Sequence, residues 1–179
     1  EDVIMQRIGY YVYGKDEDSL PAAVGKLLKK QGLTISCAES CTGGLVTSML
    51  TDIAGSSDYV MGSAVTYSNK AKQELVGVQE ASLTQYGAVS EAVAKEMAAG
   101  VKKRFHTTIG VGITGIAGPG GATPSKPVGL VYISVAGPGD KQVVHRHQFT
   151  GNRLDIKNRT AMMTLAHVFQ AVRIKNEEE

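Results

Sequence analysis

The chain has 179 residues, a length that suits one domain with a full hydrophobic core. Apolar residues make up 42% and charged residues 20%, near globular averages, and the net charge is +2 with acids and bases interleaved. That balance argues against a nucleic-acid binder, which gathers Lys and Arg on one face, and no apolar run approaches the roughly 18 residues that span a bilayer. Cys37 and Cys41 are the only cysteines. With four scattered histidines they are too few for a structural zinc site, and they read as reduced thiols of a cytoplasmic protein. Asn158-Arg159-Thr160 matches a glycosylation sequon by chance, there being no secretion signal. Glu177-Glu178-Glu179 is a solvated acidic end.

Residues 1–14, "EDVIMQRIGYYVYG", alternate as a strand or linker does and break at the charged "KDEDS". Residues 1–18 are expected to be a junction from a preceding domain of a longer protein, with the domain itself over 19–175. Ser19 is a plausible N-cap with Pro21 in the first turn and Val24, Leu27 and Leu28 on one face; Gly32 closes that helix. Residues 33–38 form a short apolar run, a buried strand. From 42 to 53, Leu45, Val46, Met49, Leu50 and Ile53 recur at helical spacing, and Gly55 ends the helix. Residues 59–67 read as a second strand, so the two make a βαβ unit with parallel strands. Short helices are expected over 69–76 and 82–86, and a longer one from Ser90 with Val93, Met97, Val101 and Phe105 along one stripe. Residues 107–114 form a third strand, and "GIAGPGGATPSKP" after it is too rich in Gly and Pro for a helix. The runs 128–136 and 142–149 flank "GPGD" as a hairpin, so at least one of them runs antiparallel. A last helix over about 152–174 buries Leu165, Val168, Phe169 and Val172. The fold class is α/β: a three-layer α/β/α domain around a mixed, mostly parallel sheet.

Gly110-Val-Gly112-Ile-Thr-Gly115 fits the dinucleotide fingerprint by letter. That fingerprint works by opening a helix on its last glycine; here a Pro/Gly loop follows, so the match is accidental. "SCAESCTGG" is more informative. Glu39 to Thr42 occupy the turn after the first strand, and Gly43-Gly44 fall in the first turn of the next helix. Free N–H groups there can hold an anion beside Ser40. The plainer alternative is that Ser40 or Thr42 only caps the helix. Two further strand ends carry Tyr67, Lys70 and Lys72 in "TYSNKAK" and Thr114 in "TGIAGPGG". Loops at the carboxyl ends of parallel strands share one edge, so Ser40, Tyr67, Lys72 and Thr114 can converge. His106, His145, His147 and His167 read as structural or surface residues, leaving a lysine as the economical activator of a serine. Such a lysine must fall from about 10.4 to about 7–8. Lys72 is the first choice and Lys126, in "SKPVG", the rival; Thr42 stands beside Ser40 as a rival nucleophile. Arg153 and Arg159 open the final helix, where an arginine suits phosphate or a surface ion pair.

Taken in order, "AESCTGG", "TDIAGSS", "VTYSNKAK", "GAVSE", "TGIAGPGG", "KPVGLVY" and "FTGNR" resemble the C-terminal domain of the CinA family over residues 19–172. "RIGYYVYGKDEDSL" resembles the junction into that domain in longer, multidomain members. The family, named as competence/damage-inducible proteins, includes the nicotinamide-nucleotide amidases. The resemblance implies hydrolysis of the carboxamide of nicotinamide mononucleotide to nicotinate mononucleotide and ammonia, in pyridine-nucleotide recycling, with no metal or organic cofactor. It implies Ser40 as nucleophile, Lys72 as base and Tyr67 as an assisting or orienting group. Glu39, Thr42, Gly43 and Gly44 are expected at the oxyanion and binding edge, Thr114 and Gly115 to Gly118 on the pocket wall, and Arg153 at the phosphate. The expected partner is a small nucleotide, with no nucleic acid or membrane, and the expected assembly a homo-oligomer. A non-catalytic nucleotide-binding or oligomerisation module of a larger protein is the alternative.

Overall fold

The computed structural model describes residues 12–14 and 18–173; the expected strand or linker at the start of the chain lies mostly outside the described residues. Helix α1 (Leu20–Lys30) begins where Ser19 Oγ accepts the Ala22 N–H at 3.4 Å, with Pro21 in its first turn. Strand β1 (Ile35–Glu39) follows, buried along its whole length, then α2 (Leu45–Thr51), a 3₁₀ turn (Ser56–Asp58) and β2 (Val60–Val65). Helices α3 (Asn69–Val76), α4 (Glu80–Tyr86) and α5 (Glu91–Phe105) lead to β3 (Ile109–Gly115). The hairpin β4 (Leu130–Ala136) and β5 (Gln142–Gln148) and the long α6 (Arg153–Arg173) complete the chain. Among the described residues no helix is long and apolar enough to cross a membrane.

The strand order is β2-β1-β3-β4-β5. β1 pairs parallel with β2 and β3, whereas β3–β4 and β4–β5 are antiparallel, so β4 alone runs against the other four. Alternate residues of each central strand face opposite layers. Ile35, Cys37, Val111 and Ile133 meet Leu28 of α1, Val46 of α2 and Leu165 of α6 in one core. Ala38 and Ala64 meet Val76 of α3 and Val93, Met97 and Val101 of α5 in the other. This is the expected three-layer sandwich. Full burial contributes about 1.5–3 kcal/mol for each large aliphatic side chain, and the buried polar residues of β1, Ser36 and Glu39, are both hydrogen-bonded.

Gly110 and Gly112 explain the accidental fingerprint. A Cβ there would stand 2.2 Å from Ala98 O and 2.3 Å from Ala94 O, so both glycines let the α5 backbone lie directly on β3. The expected helix over 42–53 starts late, at Leu45. Gly43 and Gly44 have φ of +68° and +98°, and a chain in the left-handed region has not entered a right-handed helix. They belong to the turn before α2, not to its first turn.

The parallel strands and the start of α6 deliver their ends to one edge of the sheet. α6 is fixed there by a reciprocal cap: Asn152 Oδ1 accepts the Leu154 and Asp155 N–H groups, and Asp155 Oδ2 accepts the Asn152 N–H.

Three histidines form the contact of β5 with α6. His145 and His147 share one face of the strand, the His145 and His167 rings stack at 3.6 Å, and His147 Nε2 bonds His167 Nε2 at 2.8 Å. Burial pushes all three below the ordinary imidazole value, His167 to about 4. The unfolded chain binds these protons near pH 6.5 and the native state resists them, so acid favours unfolding. The contribution of this cluster to stability is therefore fully present above about pH 6.5 and falls as pH drops toward 4. Denaturant midpoints measured across that window test this: His167→Leu should flatten the slope, and an unchanged slope would show that the cluster does not control it.

Candidate functional site

Each strand end contributes one part of the site. After Glu39, Ser40 continues the β1 line with its N–H on Ile113 O at 3.0 Å, and its carbonyl accepts the Gly43 N–H at 3.2 Å. After β2, Thr66 N–H bonds Glu39 O at 2.9 Å, and Ser68 Oγ caps α3 through the Ala71 N–H. That start aims Lys72, one turn into α3, back toward β1. Lys72 Nζ then meets three oxygens: Thr66 O at 2.8 Å, Ser40 Oγ at 3.2 Å and Tyr67 O at 3.4 Å.

Among the described residues Lys72 is the largest fully buried side chain, 1% exposed, and no carboxylate pairs with it. Burial without a counter-ion disfavours the ammonium, and its pKa is pushed below the ordinary lysine value, against a smaller opposing effect of the Cys41 thiol. Once neutral, the amine has two N–H groups for the two carbonyls and a lone pair for the Ser40 hydroxyl. The arrangement can therefore take a proton from a serine.

Ser40 and Lys72 open into a cavity of about 290 Å³ walled also by Tyr67, Thr114, Gly115, Gly118 and Arg153. Thr114 Oγ1 donates to Ala88 O at 2.8 Å, tying the loop before α5 to the end of β3. Arg153 joins the two lips: Nη1 donates to Gly118 O at 2.7 Å and Nη2 to Tyr67 Oη at 3.0 Å. Gly118 has φ of +75° and precedes a cis peptide to Pro119. An apolar groove of about 170 Å³ between Leu33, Val143 and Val172 has Lys141 on its wall but no serine, threonine or cysteine, so the chemistry points to the first cavity.

Nine expected residues thus meet around one space, Ile116 and Ala117 of the 115–118 stretch among them, and Glu39, Thr42, Gly43 and Gly44 do not line it. Glu39 is fully buried, and its carboxylate accepts Gly44 N–H, Val46 N–H, Thr47 N–H and Thr47 Oγ1–H at 2.8 to 3.1 Å. Thr42 is fully buried with no partner for its hydroxyl. The Gly43 and Gly44 N–H groups already bond Ser40 O and Glu39 Oε2. The expectation of an anion held by these amides is corrected: the protein's own carboxylate occupies that helix start. Lys126 Nζ donates to Tyr86 O at 2.5 Å and is not on the cavity wall. Arg159 turns back to Thr150 O at 2.7 Å.

Cys41 also lines the cavity, but burial raises its thiol to about 12, an inert neighbour at neutral pH. Asn69, Ala88 and Val89 are wall residues that the sequence reading did not single out, although they lie within "TYSNKAK" and "GAVSE".

A family profile described as "CinA C-terminal domain" matches residues 17–172. The chain belongs to the CinA family. A CinA-like protein of Kosmotoga olearia is 49% identical over 96% of this chain, and one of Nostoc sp. is 50% identical over 88% of it. The chain spans only 42% and 37% of those two relatives. The crystal structure of a competence/damage inducible protein from Agrobacterium tumefaciens superposes with a TM-score of 0.84 at 37% identity, covering 90% of this chain and 98% of its own. A CinA superfamily protein from Escherichia coli gives 0.81 at 29% identity, over 92% and 98%. The CinA fold expected from the motifs is the one observed.

The position of Lys72 depends on how closely α3 rides on α5. A Cβ added at Gly100 of α5 would stand 1.7 Å from Val76 O at the end of α3. Helix propensity favours alanine there by about 1 kcal/mol, but forced overpacking costs about 1–3 kcal/mol and displaces the backbone. Gly100→Ala should therefore destabilise the domain despite its helical setting, and move Lys72 off Ser40. A denaturation curve shifted to higher stability would contradict this.

Proposed function

We propose that this CinA domain hydrolyses the carboxamide of nicotinamide mononucleotide, giving nicotinate mononucleotide and ammonia. The observation that carries the reading is Lys72 Nζ at 3.2 Å from Ser40 Oγ, buried with no carboxylate paired to it among the described residues. Ser40 Oγ attacks the carboxamide carbon while its proton passes to Lys72 Nζ. The tetrahedral adduct expels ammonia, which takes that proton, and leaves an ester on Ser40. Water, deprotonated by the same amine, cleaves the ester and restores the hydroxyl. A pyridinium substrate disfavours a charged lysine further, so it helps keep the base neutral. Arg153, with N–H groups beyond the two that bridge the lips, takes the phosphate, and Tyr67 orients it from the opposite lip. The product enters pyridine-nucleotide recycling.

Ser40→Ala should abolish ammonia release and leave nucleotide affinity within about tenfold, because a nucleophile contributes to rate more than to ground-state binding. Cys41→Ala should retain most activity. The wild-type rate should rise with pH through one ionisation below lysine's usual value of about 10.4. Lys72→Arg should be nearly inactive across that range, because a guanidinium stays protonated, while Lys126→Arg keeps its turnover. Wild-type activity in Lys72→Arg would remove the dyad. Nucleotide binding without ammonia release from any variant would favour the non-catalytic module instead.

Arg153→Ala should weaken nicotinamide mononucleotide far more than the riboside that lacks the phosphate. Equal losses on both would reduce Arg153 to a bridge between the lips.

A further inference from the structure

Helices α1, α3 and α5 are each capped by the serine immediately before them, Ser19, Ser68 and Ser90. α2 is not: Gly44 stands at its N-cap position with no side chain to offer. Its start is held from the strand, by a carboxylate five residues before that cap. A serine cap is sufficient for a short helix, and burying a carboxylate is expensive unless every lone pair is answered. Glu39 meets that condition, since four donors fill the four sites a carboxylate offers.

The main chain of the same residue faces the base. Glu39 O accepts the Thr66 N–H at 2.9 Å, and Thr66 O accepts Lys72 Nζ at 2.8 Å. Ser40, the next residue, is pinned on its other side to Ile113 O, opposite Glu39 in the β1–β3 register. Glu39 thus closes the 39–44 turn with its side chain and supports the lysine with its carbonyl.

We propose that Glu39 is a positioning residue that holds Ser40 Oγ at Lys72 Nζ, acting through the turn and the Thr66 carbonyl without touching substrate. The inference rests on the Ser40–Lys72 reading above. It assigns Glu39 neither to the cavity wall nor to proton transfer. Loss of the carboxylate leaves the N–H groups of residues 44, 46 and 47, that of Val46 buried and the other two partly so, without their acceptor, and the turn that carries Ser40 relaxes toward other partners. A nucleophile misplaced by about 1 Å loses about a hundredfold in rate, so the effect is on turnover and not on affinity.

The test uses the full chain as wild type, Glu39→Gln, Thr47→Val and, as a control, Ser19→Ala, which weakens a helix cap away from the site. Three quantities are read for each: the denaturant midpoint, the rate of Ser40 labelling by an alkyl fluorophosphonate per folded molecule, and kcat and KM for nicotinamide mononucleotide. Glu39→Gln should label about 10–100-fold more slowly, with kcat falling in parallel and KM within about threefold. Thr47→Val, which removes one of the four donors, should label several-fold more slowly. Ser19→Ala should lose stability yet label as wild type. Wild-type labelling rates in folded Glu39→Gln and Thr47→Val would overturn the proposal, as would a raised KM at unchanged kcat. If Glu39→Gln does not fold, Thr47→Val decides. Labelling of wild-type Ser40 without ammonia release overturns only the substrate reading and leaves Glu39 to the labelling rates. A wild-type serine that does not label overturns both.

Discussion

A lysine amine folded into the interior with only carbonyl and hydroxyl oxygens around it sets the terms for this end of the molecule. Burying an unpaired ammonium is costly, and an acid within reach would hold the proton on it. Among the described residues no carboxylate pairs with Lys72; its partners are Thr66 O, Tyr67 O and Ser40 Oγ. Much of the surrounding structure keeps those three oxygens in place. Ser68 fixes where α3 begins, Gly100 lets α3 approach α5 at backbone distance, and the β1–β2 ladder extends one bond past Val65 to align Thr66.

The sheet topology makes this possible. Parallel β2, β1 and β3 bring three turns to one edge; β4 carries the chain away from that edge and β5 brings it back, so α6 begins there. Arg153, at the first position of α6, then reaches both Tyr67 beyond β2 and Gly118 beyond β3. One side chain late in the sequence thus spans loops contributed by strands far earlier. The cavity is assembled at the ends of the central strands, with Lys72 reaching it from one turn inside α3.

Most of the architecture was legible because periodicity and punctuation agreed. Ser19, Ser68 and Ser90 stand where helices start, and β1 and β3 read as apolar runs because both their faces are covered. The site was legible to the extent that topology alone predicts it: residues just past parallel strands converge, and Ser40, Tyr67, Lys72 and Thr114 do so. What sequence did not show was side-chain direction. Glu39 sits at the same edge, yet pleat alternation turns it away from the cavity and under α2. Gly43 and Gly44 were placed in a helix because apolar spacing begins soon after them, whereas their left-handed backbone belongs to the turn. Asn69, Ala88 and Val89 gave no signal of their own, since each is an ordinary residue until the fold places it on a wall.

The sulfur on that wall has a consequence outside hydrolysis. Cys41 adjoins Ser40 and lines the cavity, and Cys37 lies buried two residues before Glu39. Burial raises both thiols, and the nearby Glu39 carboxylate raises them further. Oxidants and alkylating reagents act on thiolates, and these cysteines hold their protons. At neutral pH both thiols keep their protons, so the residue next to Ser40 in sequence offers such reagents no thiolate.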